Sequence, residues 1–206
     1  MYLLSGEKIT CGYGAVDIVI NCNIGVYKGK ISSVVGPNGA GKSTAMKALF
    51  GLLPIKHGKV VFDGEDITSL PPQQRVIKGM GFVPQTNNIF PSLTVQENLE
   101  MGAFIDQNNI NKMLEYVYDL FPILNDKKNQ DAGELSGGQR QQVAVGRALM
   151  TKPKLLMLDE PSAGVSPIIM DGLFTKIKEI ADQGTAVLMV EQNAKQALKI
   201  SDLGFV

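Results

Sequence analysis

The sequence has no hydrophobic run of the roughly 20 residues that a membrane-spanning helix requires. Its longest apolar runs, residues 155–158 and 186–190, have the length of strands. The first ten residues lack a basic start followed by an apolar stretch, so no secretory signal is expected. These absences argue against a membrane-embedded or secreted protein.

The sequence also contains few cysteines and histidines, and its formal net charge is zero. The two cysteines, Cys11 and Cys22, are expected to be unpaired thiols because nothing indicates a secretory context that would favour a disulfide. The single histidine excludes a His/Cys metal cluster, and its Lys-His-Gly setting predicts that His57 lies in a solvated turn. The 20 basic and 20 acidic residues cancel, which disfavours a surface that coats nucleic acid.

Glycine, by contrast, is abundant, at 22 of 206 residues, or about 11% against a typical ~7%. This excess has no collagen-like period, so it indicates many positions where a side chain would obstruct the backbone. The positions of these glycines therefore point to places where something approaches the chain closely.

Hydrophobic patterning predicts an α/β domain. Apolar runs predict strands at 30–35, 60–62, 81–83, 155–158 and 186–190. Helical spacing predicts helices at 42–50, closed by Gly51, and between Ser166 and Gly184. Because the runs at 155–158 and 186–190 are continuously apolar, we expect strands that are buried on both faces of a parallel sheet.

The middle of the chain differs, because no strand is evident between residues 91 and 129. A capping box runs from Thr94 to Glu97 and predicts the start of a helix. An apolar stripe from Ile110 to Phe121 predicts a second helix that stops near Pro122. We expect a helical insertion at about 91–150 within a single domain that spans residues 1–206.

Residues 36–43, Gly-Pro-Asn-Gly-Ala-Gly-Lys-Ser, match the phosphate-loop pattern between a predicted strand and a predicted helix. Glycines allow backbone N–H groups to converge on phosphate oxygens, and the helix N-terminus adds a positive dipole end. Lys42 is expected to contact the β- and γ-phosphates, and Ser43 to offer its hydroxyl to Mg²⁺.

Two carboxylates follow the buried strand at 155–158. Ligands gather at the C-terminal ends of strands in open α/β sheets. Because adjacent strand residues point to opposite sides, Asp159 and Glu160 are expected to have different roles. Asp159 is predicted to hold Mg²⁺, and Glu160 to polarise a water aimed at the γ-phosphate.

A second glycine cluster, Leu135-Ser-Gly-Gly-Gln139, precedes a helix predicted at 140–150. Ser136 and Gln139 have capping-box spacing, yet a plain cap needs no glycine in the first helical turn. A bare helix N-terminus with a Ser hydroxyl is another anion site. Since the phosphate loop already holds one γ-phosphate, two anion sites suggest that each helps to hold a nucleotide bound by another copy.

Together these motifs resemble the ABC-type ATPases, and the resemblance extends over nearly the whole chain. Finer matches at 146–150, 161–169 and 190–193 resemble the ATP-binding subunits of branched-chain amino-acid importers. The resemblance implies a phosphate-loop ATPase core with a small antiparallel β-region and a helical insertion. It also implies that Tyr13 stacks on adenine, that Gln85 links Mg²⁺ and water to a membrane partner, and that residues 162–166 cross a dimer interface.

The site residues implied by motif and resemblance fall into three sets. ATP is expected to contact Tyr13, Gly36, Pro37, Asn38, Gly39, Ala40, Gly41, Lys42, Ser43, Thr44, Ser136, Gly137, Gly138 and Gln139. Mg²⁺ is expected at Ser43, Gln85 and Asp159. Glu160, Gln85 and Gln192 are the expected catalytic residues. Gln192 departs from the wider family pattern, which has a histidine there, although glutamine is usual in the branched-chain importer subgroup.

The resemblance implies an ATP-hydrolysing subunit, peripheral at the cytoplasmic face of the cell membrane. Its implied partners are permease subunits, a second ATP-binding subunit and, indirectly, an external solute-binding protein, with no nucleic acid. The alternatives are a soluble, non-transport ABC-type ATPase and a non-hydrolysing binding module. The family also continues beyond the residues that correspond to 205–206, so the C-terminal end resembles a shortened form, with an edge of the small β-region left unpaired.

Overall fold

The computed structural model describes residues 1–105 and 107–206, with all side chains in those ranges except those of residues 167 and 168. Nine strands are described: β1 Tyr2–Tyr13, β2 Val16–Tyr27, β3 Ile31–Val35, β4 Ile55–Phe62, β5 Glu65–Asp66, β6 Met80–Val83, β7 Leu155–Asp159, β8 Ala186–Glu191 and β9 Leu203–Phe205. Eight α-helices are described: α1 Lys42–Phe50, α2 Pro72–Ile77, α3 Val95–Glu100, α4 Ile110–Leu120, α5 Pro122–Asp126, α6 Gly137–Leu149, α7 Pro167–Asp182 and α8 Ala194–Ile200. Short 3₁₀ turns lie at Met101–Ala103, Gln107–Asn109 and Ala132–Glu134.

The strands form two sheets. One is antiparallel, in the order β2-β1-β4-β5, and the other is parallel, in the order β6-β7-β8-β3-β9. The mixed α/β fold, with a small antiparallel sheet beside a parallel one, confirms the fold class expected from the sequence. In the parallel sheet β8 separates β3, which precedes the phosphate loop, from β7, which ends at Asp159. The phosphate loop and the acidic strand end therefore lie at the same edge.

The parallel sheet is buried on both faces, as its continuous apolar runs predict. Leu156 and Leu158 pack against a core formed with α3–α7, whereas Leu155 and Met157 pack against α1 and the antiparallel sheet. The strand period of two divides the four side chains between two cores. All five residues of β7 and all six of β8 are buried. The loops at the C-terminal edge therefore start from strands that are buried on both faces.

Helices occupy the stretch between β6 and β7, where α3, α4, α5 and α6 follow one another. The capping box at Thr94 is present, because the Thr94 hydroxyl accepts from the Glu97 N–H and the Glu97 carboxylate accepts from the Thr94 N–H. Helix α4 ends at Leu120, and a new helix begins at Pro122, since proline is tolerated at a first helical position. Helix α6 begins at Gly137, three residues before the helix predicted from the sequence.

The prediction for His57 was wrong in one respect. His57 is exposed as expected, but it lies inside β4 rather than in a turn. The 12-residue strands β1 and β2 escaped the sequence pattern because register shifts interrupt their pairing and break the alternation of polar and apolar residues. Cys11 is buried, Cys22 is half-buried, and both are free thiols.

Arg75 holds the C-terminus of α1 from inside the core. It is only 1% exposed, and its guanidinium donates to the carbonyls of Leu49 at 2.7 Å, Leu70 at 2.8 Å and Thr68 at 2.9 Å. The last carbonyls of a helix lack partners within the helix, so Arg75 supplies donors that water supplies elsewhere. Because α1 begins at the phosphate loop, this anchor stabilises the element that carries Lys42.

We expect Arg75→Ala to lower the free energy of unfolding by about 3 kcal/mol, because it leaves several buried carbonyls without donors. Lys78→Ala is the matched control at the C-terminal end of α2, the helix that carries Arg75, since Lys78 forms a partly exposed ion pair with Glu65. Such pairs contribute at most about 1 kcal/mol. Urea denaturation of both variants measures the difference, and equal losses would contradict the anchoring role.

Candidate functional site

The phosphate loop connects β3 to α1. Gly39 and Gly41 adopt φ values of 81° and 86°, which L-residues other than glycine rarely tolerate. The loop is closed by a hydrogen bond from the Ala40 N–H to the Pro37 carbonyl at 3.3 Å. Residues 38–44 line a cavity of about 220 Å³ together with Ile18 and Glu160. Glycines here give the backbone the concave shape that an anion site needs.

Lys42 is the cation of this cavity. It is 7% exposed, and its Nζ donates to the carbonyls of Gly36 at 2.9 Å and Pro37 at 3.0 Å. The same Nζ lies 3.7 Å from Glu160 Oε1. A buried ammonium at the start of a helix, beside converging backbone N–H groups, matches the chemistry of a nucleotide phosphate.

Asp159 and Ser43 meet at the edge of the cavity. The Ser43 hydroxyl donates to Asp159 Oδ1 at 2.7 Å, which joins α1 to the end of β7. Burial raises the pKa of the Asp159 carboxyl, and the Ser43 hydrogen bond opposes that rise. Within the described residues, no cluster of three or more His, Cys, Asp or Glu could hold a metal ion. Hydroxyl and carboxylate oxygens beside a phosphate site nevertheless fit Mg²⁺, which takes few protein ligands and completes its shell with phosphate and water.

Glu160 lies at the junction of three segments. It follows β7 with a left-handed backbone, φ 49°, and is 8% exposed. Its Oε2 accepts hydrogen bonds from the side-chain amides of Gln85 and Gln192, each at 2.7 Å. Of the three residues that the sequence predicts to be catalytic, Gln85 and Gln192 therefore both contact Glu160, although the three follow different strands.

The second anion site lies apart from this cavity. Ser136 and Gln139 form the expected capping box at the start of α6, but residues 136–139 do not line the phosphate-loop cavity. Close packing also favours glycine at position 138, because a Cβ there would lie 2.3 Å from Cγ2 of Ile169 on α7. A Cβ on Gly137 would lie 3.5 Å from the Gly164 carbonyl oxygen. The start of α6 is thus packed against residues that follow Glu160.

Tyr13 also lies outside the cavity lining. It ends β1 beside the β1–β2 turn, pairs with Val16, and is 48% exposed. Sequence reasoning missed Ile18, which lines the cavity from β2. The exposed side chains of Val16, Ile18 and Ile20 recur every second residue on β2, which is an edge strand of the antiparallel sheet. That alternation of apolar residues is the sequence signal that could have predicted an apolar strip beside the phosphate loop.

A groove of about 230 Å³ opens between the parallel sheet and the helices. Its lining includes Phe82, Pro84, Phe90, Met101, Phe104 and Arg147. Met101 is 54% exposed and Phe104 64%. The Arg147 guanidinium donates to the Asn88 carbonyl at 2.9 Å and stacks over the Phe90 ring, with its central carbon 4.8 Å from the ring centroid. These contacts tie α6 to the segment that follows Gln85.

The fold and the site define a phosphate-loop ATPase. A family model described as "ABC transporter" matches residues 19–163, and the chain belongs to that family. The chain is therefore an ABC transporter ATP-binding subunit, which binds and hydrolyses ATP. No helix in the described part of the chain combines the length and the apolarity needed to cross a membrane.

Similar proteins cover nearly all of the chain. The high-affinity branched-chain amino acid transport ATP-binding protein BraG of Pseudomonas aeruginosa is 42% identical over 99% of this chain and 88% of its own. The lipopolysaccharide export ATP-binding protein LptB of Haemophilus influenzae is 33% identical over 100% of this chain and 87% of its own. A nucleotide-free ATP-binding cassette from an ABC transporter superposes with a TM-score of 0.86 at 32% identity, covering 100% of this chain and 88% of that one.

We expect Gln192→Ala to lower kcat for ATP hydrolysis about tenfold, because a hydrogen bond to a charged group contributes about 1.5 kcal/mol. Gln85 remains as a donor to Glu160, so hydrolysis should persist at a reduced rate. Gln196→Ala is the control, since Gln196 donates to Asp171 and does not contact Glu160. Steady-state phosphate release measures both, and an unchanged kcat in Gln192→Ala would exclude a contribution from this contact.

Proposed function

We propose that this chain powers a membrane importer for branched-chain or other hydrophobic amino acids. The proposal is supported by its 42% identity to BraG and by its 40% identity, over 99% of this chain and 87% of the relative, to a probable branched-chain amino acid transport ATP-binding protein, LivF, of Archaeoglobus fulgidus. Identity to LptB is lower, at 33%. Uptake of a labelled branched-chain amino acid by cells with and without the gene distinguishes an importer from an export system.

The observation that carries the mechanism is the convergence of Gln85, Gln192 and Lys42 on the Glu160 carboxylate. We assign Glu160 to orient the attacking water and accept its proton. Lys42 and the loop N–H groups hold the β- and γ-phosphates, and Tyr13 contacts adenine. Ser43, Asp159 and Gln85 would hold Mg²⁺, which supplies positive charge to the phosphate oxygens.

The separation of the two anion sites supports a pair of chains that meet head to tail. In such a pair, residues 136–139 of one copy complete the phosphate site of the other, and residues 162–166 cross the interface. The partner copy is this chain or a related ATP-binding subunit. ATP binding closes the pair, and hydrolysis lets it open. An external solute-binding protein acts only through the permease.

The groove beside Gln85 is assigned to the permease. The groove exposes apolar side chains, and Arg147 connects its wall to the segment after Gln85. A partner that binds the groove would therefore contact the segment that carries Gln85, whose side chain donates to Glu160. Peripheral attachment at the cytoplasmic face of the membrane follows from this assignment. The neutral net charge gives no support to a nucleic-acid partner.

We expect Glu160→Gln to lower kcat at least about 100-fold, as for loss of a catalytic base, while ATP binding and ATP-dependent dimer formation persist. Glu115→Gln, at an exposed position of α4, is the control. Phosphate release, nucleotide binding and size-exclusion chromatography separate the three properties. Normal hydrolysis by Glu160→Gln would show that another group activates the water.

We expect Phe104→Glu to abolish co-purification of the chain with a polytopic membrane protein from its native host, because it places a charge in the apolar groove. ATP binding should be unchanged. Leu52→Glu, at an exposed apolar position after α1 and outside the groove lining, is the control. Mass spectrometry of the membrane-extracted complex identifies the partner. Recovery with ribosomes alone would support a soluble ABC-type ATPase instead.

A further inference from the structure

Glu191 is a buried carboxylate that the proposed mechanism does not use. It ends β8 and is only 1% exposed. Its Oε1 accepts from the Ser162 N–H at 3.0 Å, and its Oε2 accepts from the Ser162 hydroxyl at 2.8 Å and from the Gln192 N–H at 3.2 Å. Within the described side chains, no Lys or Arg forms an ion pair with it.

Burial of the Glu191 carboxylate is energetically unfavourable, so a purely structural role at the end of β8 does not explain it. Burying an ionised carboxylate without a cation is unfavourable, and here burial raises the pKa of Glu191. A neutral side chain could fill the same space without that cost. A carboxylate differs in offering two acceptor oxygens, and Glu191 uses them to hold two separate segments at once.

Both segments belong to the surroundings of Glu160. Ser162 lies two residues after Glu160 and begins residues 162–166, which pack beside Gly137. Gln192 donates through its side chain to Glu160 Oε2. Glu160 itself is tied to β8 by its N–H, which donates to the Val190 carbonyl at 3.0 Å. Glu191 therefore fixes the chain that leaves Glu160 and the backbone of the residue that orients its carboxylate.

We propose that Glu191 is a positioning residue for ATP hydrolysis, which holds Ser162 and Gln192 together and thereby orients Glu160 without contacting the nucleotide. The inference rests on the proposed role of Glu160. It differs from a merely structural role, which would lower stability and leave the turnover of each folded molecule unchanged. It also differs from direct catalysis, because Glu191 lies outside the phosphate-loop cavity lining.

The first test is Glu191→Gln in the full chain. Glutamine keeps the volume but replaces one acceptor oxygen by a donor, so one backbone N–H of Ser162 or Gln192 loses its partner. We expect kcat to fall about tenfold, as for loss of a hydrogen bond to a charged group, with KM for Mg²⁺-ATP within about twofold of the wild type. Glu179→Gln is the matched control, because Glu179 lies on α7, pairs with Lys176 and has a side chain 42% exposed.

The second test compares Ser162→Ala, Glu191→Gln and the double variant. If Glu191 acts through Ser162, the kcat of the double variant should be little lower than that of the more impaired single variant. Hydrogen exchange should become faster in residues 161–166 and 192–194, but not within β7. Thermal denaturation confirms that each variant is folded, and kcat is taken per folded molecule.

Failure of the positioning role of Glu191 can be distinguished from failure of the role proposed for Glu160. If Glu160→Gln abolishes hydrolysis and Glu191→Gln leaves kcat unchanged, the positioning role is wrong and the proposed function stands. Fully multiplicative losses in the double variant would also overturn the link through Ser162. If Glu160→Gln hydrolyses ATP normally, the role proposed for Glu160 fails, and the positioning role fails with it.

Discussion

In the part of the chain that the structure describes, the carboxylates of Asp159, Glu160 and Glu191 are buried at one edge of the parallel sheet beside one buried ammonium, that of Lys42. Their exposures are 3%, 8% and 1%. Like charges at low dielectric are unfavourable, so each carboxylate requires donors of its own. Ser43 supplies one for Asp159, two glutamine amides supply those of Glu160, and Ser162 with the Gln192 N–H supplies those of Glu191.

These donors come from α1, from the segment after β6, from the segment after β7 and from the end of β8. The need to satisfy buried charge therefore joins four segments of the chain at one edge of the sheet. A polyanionic nucleotide and its cation would change the charge around these carboxylates, which all four segments contact.

Much of this arrangement was readable in the sequence. The phosphate loop, the acidic strand end and the capping boxes at Thr94 and Ser136 are local signals, and the continuous apolar runs correctly indicated a sheet that is buried on both faces. The long strands β1 and β2 were missed because bulges break their alternation. The contacts of Glu191 with Ser162 were missed because they join residues 29 positions apart, and a lone Glu at a strand end carries no local pattern.

The close packing of Ile169 over Gly138 has a consequence for a paired assembly. Within one chain, it joins the start of α6 to α7, and α7 follows Glu160 by only a few residues. In the proposed head-to-tail pair, the start of α6 would contact the nucleotide of the opposite copy. In the proposed pair, a change at one catalytic centre would therefore reach the other through α7 and the start of α6.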